Sequence, residues 1–292
     1  MIMRIPESEL IINSDGSVFH LHIRPEQLAD RVVLVGDPGR VEMFRPLFDR
    51  IECEGASREF VWMTGRYHGT CITVLSTGIG TDNIDIVMTE LDALANIDFQ
   101  TREVKPEHRR LSVVRLGTCG AIQPEIPLGS FVLSHYSVGF DGLMGWYADR
   151  EEVTDTAMEE AFMKHMDWPR ALPVPYFVHA SQKLIDLFAD STVRGMTISA
   201  PGFYGPQGRV VRQNTAIPDM IGKIEAFVFG DWKITNFEME GSALAGMATH
   251  LGHDAITVCC AIAHRYHKAA NTDYKPLVAK LCQLVMDKLS LV

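Results

Sequence analysis

Short apolar runs recur along the chain, each ended by glycine or a polar break and followed by apolar positions at helical spacing. Val32–Val35, Cys71–Ser76, Ser112–Leu116, Phe131–Tyr136 and Ala255–Ala263 read as buried strands. Helical patterns are expected near Arg40–Phe48, Asn83–Ala95, Val153–His165, Ser181–Phe188, Glu240–His250 and Pro276–Leu289. This alternation predicts an α/β fold with a mixed or largely parallel sheet. No long Ser/Gly/Pro linker and no internal repeat divides the sequence, so a single domain over residues 1–292 is expected. The polar stretch Phe99–Arg110 reads as an exposed loop.

Composition narrows the class. The 292 residues carry a net charge of −10, with 47% hydrophobic and 22% charged positions. That balance suits a globular protein and argues against a nucleic-acid or anionic-membrane surface, where a basic stripe would be expected. A few clustered basic residues can still hold a small anion. No run approaches the ~18 apolar residues of a membrane helix, and Pro6, Glu7 and Glu9 stand where a signal peptide would be apolar. The six cysteines form no C-x-x-C pair and suit reduced thiols in a cytoplasmic protein.

In open α/β sheets ligands gather beyond the carboxyl ends of strands, and four motifs lie at such places. Gly36-Asp37-Pro38-Gly39-Arg40 follows the first strand; it is either a tight turn or an anion site with bare amides and a guanidinium. It has neither the Gly spacing and Lys of a Walker loop nor the three spaced glycines of a dinucleotide fingerprint. STGIG, residues 76–80, offers further accessible N–H groups. In RLGTCGAI, Arg115 ends an apolar strand and Thr118 sits in a Gly-rich turn. A buried Arg needs a partner, either a structural carboxylate or a ligand; with Arg40 and two Gly-rich turns it favours an oxyanion pocket. FEMEGSAL places Glu238, Met239 and Glu240 before a helix, where carboxylates cap the N-terminus or accept hydrogen bonds from vicinal hydroxyls. A glycosidase pair is the weaker reading, since nothing separates an acid from a nucleophile. In GFYGPQGR, Phe203 could stack on a flat ring, and Gln207 and Arg209 could read carbonyls and a ring N–H, an edge that uracil has, unless this is an ordinary polar loop.

The ordered series VFH, VGDPGR, SREF, STGIG, RLGTCGAI, FYGPQGR and FEMEGSAL, from about Ser17 to Arg265, resembles the nucleoside phosphorylase-I family, in particular its uridine-cleaving members. The resemblance implies a three-layer α/β/α single domain with a mixed central sheet. It further implies homo-oligomers, hexamers built from dimers, with sites shared across the dimer interface. Carried over, Gly36, Arg40, Arg115 and Thr118 bind phosphate, and Arg58 of SREF serves the neighbouring subunit's phosphate. His20 reaches across the same interface to the ribose 5′-hydroxyl. Met239 and Glu240 hold the ribose, and Phe203, Gln207 and Arg209 the uracil. Uridine and phosphate are the implied substrates, with no organic cofactor and no resident metal. Catalysis would rest on Arg115, Gln207, Arg209 and Glu240: the first holds the attacking phosphate, the next two take up charge on the departing base, and the last fixes the sugar.

The chain departs from the family in informative places. Purine-cleaving relatives carry an Asp where this chain reads Ala263-His264-Arg265, which counts against purines; Arg265 could lend charge near the base loop. A monovalent cation at the interface would use Glu59, but Asn83 stands where Ser is expected. The run between Gln207 and the following Arg-Val is short, so the cover over the base should differ. His250/His253 and His264/His267 have spacing that metals use but lack the Glu of a zincin motif. A related phosphorylase or nucleosidase of different base preference, a hydrolase using water in place of phosphate, and a non-catalytic nucleoside binder are the alternatives.

Overall fold

The structure, a computed structural model, describes residues 4–292. Its centre is a mixed sheet of twelve strands. Arg31–Val35 lies parallel between Thr70–Ser76 and Ser112–Ala121. Because side chains alternate across a strand, this one strand feeds two cores. Val32 and Leu34 face helices Thr81–Asn96 and Gly241–His250, packing with Ile84, Leu91 and Leu244. Val33 and Val35 face helices Gln182–Phe188 and Lys275–Leu289, packing with Leu184, Leu281 and Val285. Each such fully buried valine is worth about 1.5–3 kcal/mol. Helices on both faces of a sheet make three layers, as expected. A third core around Phe162, Phe177 and Phe237 supports the far strands.

Those far strands do not simply extend the sheet. Ser112–Ala121 pairs parallel with Asp254–His264, which pairs antiparallel with Phe131–Gly139. The last pairs parallel with Val193–Ser199, and that in turn with Trp232–Glu238. Trp232–Glu238 then returns to Ser112–Ala121, with Asn236 and Phe237 opposite Ala121 and Gly120. The five strands therefore close on themselves, and the carboxyl ends of three of them deliver site residues to one place. No helix among the described residues is long and apolar enough to cross a membrane.

Several sequence expectations need correction. The helix expected over Arg40–Phe48 is one α-turn, Pro38–Val41, followed by a 3₁₀ segment, Glu42–Leu47. Pro46 lies inside the segment and cannot donate the hydrogen bond an α-helix needs. The helix expected from Val153 begins at Thr156, because the Asp155 carboxylate accepts the Met158 N–H at 3.0 Å and caps it there. The Gly-rich turn expected around Thr118 is instead the continuation of the strand to Ala121, held by partners on both sides. Phe99–Arg110 is not a plain exposed loop. It contains the short strand Glu103–Val104, paired with Ile97–Asp98, and buries Arg102. The Arg102 guanidinium donates to the carbonyls of Ile5, Pro6 and Leu10, pinning the N-terminal segment.

Candidate active site

A cavity of about 670 Å³ opens where the strand ends converge. Gly36, Arg40, Arg115, Thr118, Phe203, Gln207, Arg209, Met239 and Glu240 all line it. His20 and Arg58 do not. The His20 ring stands 6.5 Å from that of Phe60, and Arg58 directly precedes Glu59, which is itself part of the wall.

Sequence explains how the floor is built. Gly36 ends the first strand, and a Cβ there would come within 3.3 Å of the Gly78 carbonyl, so the two Gly-rich ends meet because both lack side chains. The Asp37 carboxylate accepts the Gly39 N–H at 2.9 Å and starts the short helical turn that carries Arg40 into the cavity. Among the described residues no carboxylate pairs with Arg40, which leaves its charge available to an anion.

Arg115 is placed differently. It is 4% exposed and lies between two carboxylates buried to a similar degree. It donates to Glu240, and its Nη1 is 3.2 Å from Glu238, a charge contact without hydrogen-bond geometry. Burial alone would lower the guanidinium, but Glu240 and Glu238 outweigh it and hold the group above its ordinary value. Burial pushes the Glu240 carboxyl up; Arg115 opposes that and the neighbouring Glu238 reinforces it. The structural-partner reading of Arg115 and the ligand-facing one thus meet in one residue.

The two glutamates divide the roles left open by the sequence. Glu238 is the helix cap: it accepts the N–H groups of Glu240 and Gly241 at 2.9 Å and the Ser199 hydroxyl. Ser199 in turn accepts the Ser242 N–H at 2.8 Å. Glu240, freed from capping, faces the cavity and is fixed by Arg115 and by the Gly80 N–H at 2.9 Å. One amide expected to face an anion is therefore spent on orienting a carboxylate.

Elsewhere in the wall, the turn Gly205–Gln207 buries the Gln207 side chain, which is 3% exposed. Arg209 donates to Gln207 Oε1 at 2.6 Å, and its guanidinium lies 3.7 Å above the Phe203 ring. The face of Phe203 expected to meet a flat ligand thus carries a cation, and the aromatic supports Arg209. Arg265 does approach this loop, donating to the Gln207 carbonyl at 2.9 Å. Burial, then the nearby charge of Arg265, brings Arg209 down to about 10. Gly117 and Gly120 of RLGTCGAI and Ala263 also line the wall, as do Ile262 and Phe237, which carry no charge signal and which sequence reasoning did not find.

The remaining sequence candidates are otherwise engaged. Glu59 accepts from Asn83 at 3.3 Å, so the carboxylate a monovalent cation would use is already in contact with the residue that replaces the expected Ser. His253 comes within reach of Asp92 and His108 rather than His250. The Leu111 N–H meets His253 Nδ1 at 3.2 Å, so in the neutral ring Nε2 carries the proton and donates to Asp92 at 3.1 Å. A protonated ring nitrogen has no lone pair for a metal. His264 is fixed in the same way by the Gln123 carbonyl and the His267 N–H. All six cysteines are free thiols, with Cys53 and Cys71 half-buried rather than buried.

The chain is similar in sequence and fold to known proteins. The sequence model of the phosphorylase superfamily matches residues 30–289. A uridine phosphorylase of Thermococcus kodakarensis is 28% identical over 271 residues, covering 91% of this chain and 84% of the relative. The uridine phosphorylase of Escherichia coli is 29% identical, covering 86% of this chain and 88% of the relative. A crystal structure of a Trypanosoma brucei nucleoside phosphorylase, described as showing uridine phosphorylase activity, superposes with a TM-score of 0.89 at 28% identity. It covers 97% of this chain and all of that one.

Proposed function

The chain belongs to the phosphorylase superfamily, and we propose that it is a pentosyltransferase acting as a uridine phosphorylase, converting uridine and phosphate reversibly to uracil and ribose 1-phosphate. One observation carries this reading: a single cavity is lined together by Arg40, which pairs with no carboxylate among the described residues, by Glu240 and by the Gln207–Arg209 pair. An anion, a sugar and a carbonyl-bearing base each have a matching group there.

Phosphorolysis breaks the bond from C1′ to the base. Positive charge develops on the sugar and negative charge on the departing uracil, so donors fixed in advance at those places lower the barrier. Arg40, Thr118 and the backbone at Gly36 hold the phosphate dianion against C1′. Glu240 accepts the 2′- and 3′-hydroxyls, and its two anchors keep the sugar aligned for attack, where a shift of about 1 Å costs about 100-fold. Arg115 links the subsites through its ion pair with Glu240. Gln207 and Arg209 donate to the pyrimidine carbonyls as they gain charge. Purified protein should release uracil from uridine only when phosphate is supplied, with ribose 1-phosphate in equal amount. Phosphate-independent release of free ribose would make it a hydrolase, and tight uridine binding without turnover would make it a binder.

The same reading makes the protein a homo-oligomer of dimer units, a hexamer in total, in which Arg58 and His20 complete a neighbour's site. That neither residue lines the chain's own cavity supports this, as do the exposed apolar side chains of Phe19, next to His20, and of Ile79 in the cavity wall, at 37% and 70% exposed. Mixed oligomers of Arg58→Ala and Arg115→Ala chains should recover activity that neither variant has alone. No recovery in oligomers shown to be mixed would refute sharing.

A further inference from the structure

We propose that Glu90 is the positioning residue that sets the tautomer and direction of His20, and through it recognition of the nucleoside 5′-hydroxyl in the neighbouring subunit. The inference rests on the shared-site reading above and adds a residue to it.

Glu90 lies in the middle of helix Thr81–Asn96, is 7% exposed, and among the described residues has no basic partner except His20. A buried carboxylate inside a helix is costly unless its oxygens are satisfied. Here all its acceptor capacity goes to one segment. The His20 N–H lies 3.0 and 3.1 Å from its two oxygens, the Leu21 N–H 2.9 Å from Oε2, and His20 Nδ1 2.7 Å from Oε1. An ionised carboxylate can only accept, so Nδ1 must carry a proton. In the neutral ring Nε2 is then the bare nitrogen. The rings of Phe19 and Phe60 pack edge-on beside the imidazole, at 4.8 and 6.5 Å between centroids. The His20 side chain remains 27% exposed. Helix, carboxylate and aromatic walls together fix the ring and leave Nε2 as the nitrogen that Glu90 does not engage. A hydroxyl on the neighbour's ligand can donate to it. The uncharged tautomer with the proton on Nε2 could not accept.

The test compares uridine with 5′-deoxyuridine, which lacks that hydroxyl. In the wild type, kcat/KM should favour uridine by about tenfold or more, one hydrogen bond's worth. Glu90→Gln puts an amide N–H₂ among groups that all donate, so the preference should fall by about tenfold, through loss of uridine turnover. His20→Ala should abolish the same preference, and adding Glu90→Gln to it should remove nothing more. Equal losses for both nucleosides in Glu90→Gln, or a further drop in preference in the double variant, would overturn the proposal. If Glu90→Gln does not fold, the wild-type oligomer decides alone: ¹⁵N-histidine NMR, with the His20 signal assigned by its loss in His20→Ala, should show the proton on Nδ1. A proton on Nε2 only would refute it. Absence of any phosphate-dependent uridine cleavage by the wild type would instead sink the parent reading.

Discussion

Replacing Gly117 by alanine is a one-methyl test of how tightly the phosphate and sugar ends are joined. Gly117 lies in the strand Ser112–Ala121 with ordinary backbone angles, so alanine brings no conformational strain. Its Cβ, however, would sit 2.5 Å from Arg115 Nη1 and 3.0 Å from Cys259 Sγ. Ordinary contact begins near 3.4 Å, so the guanidinium must retreat by roughly 1 Å, on the scale at which misplacement costs about 100-fold in rate. A flexible surface arginine would absorb that. Arg115 is buried and held between Glu238 and Glu240, so retreat stretches a buried ion pair. Outright rupture of such a pair costs about 3–5 kcal/mol; partial rupture should cost about 2–3 kcal/mol, a fall in melting temperature of roughly 3–5 °C for a chain of this size. Steady-state kinetics with phosphate varied should show kcat/KM reduced by about 100-fold, and calorimetry should show the lower transition. Gly145→Ala, where a Cβ meets nothing within 4 Å, is the control. Turnover within twofold of wild type and an unshifted transition in Gly117→Ala would refute the claim that Arg115 is immobile.

Two further outcomes follow from separate parts of the molecule. Arg209→Ala should lower uridine turnover by about 100-fold, the scale of one lost donor to developing charge. It should leave phosphate affinity, measured by calorimetric titration, almost unchanged; loss of phosphate binding would mean that the loop is misassigned. His135, stacked on Trp232 with ring centroids 4.0 Å apart, is brought from 6.5 down to about 4 by burial and then by His179. The unfolded chain therefore takes up a proton from about pH 6.5 downward while the folded one resists until about 4. Stability from this group is complete above the upper value and is lost as the pH falls through the window, to the extent of about 1–2 kcal/mol after solvent screening. Urea midpoints at pH 7 and pH 5 should differ less in His135→Phe than in the wild type, and an equal difference would refute the assignment.

How legible was this in the chain? The strands that turn into ligand-bearing loops were readable because their burial is nearly complete and their ends are glycine-rich: Val32–Val35 before Gly36, and Cys71–Ser76 before Gly78. Glu238 and Glu240 were visible as a pair, but which would cap and which would face the cavity depends on Ser199 and Gly80, distant in sequence. The strand Arg50–Ser57, with every other residue exposed and the remainder only half-buried, gives too little apolar signal to stand out. Arg102 and Glu90 look like surface charges in sequence, and only tertiary contacts with Ile5, Leu10 and His20 show them buried. The continuation of Ser112–Ala121 through Gly117 and Gly120 reads locally as a turn, and partners on two sides override that tendency.

The five-strand closure has a consequence for how this scaffold can diversify. Arg115 and Thr118 on one strand and Glu238 on another are tied by direct pairing of Gly120 with Phe237, so the sheet itself fixes these three cavity-lining positions relative to one another. Phe203, Gln207 and Arg209 lie instead in the long connection from Ser199 to Trp232, whose first twenty residues hold only the turn Gly205–Gln207. On the proposed reading, new nucleobase preferences can arise by rewriting a handful of positions in that connection, while the paired strands stay as they are.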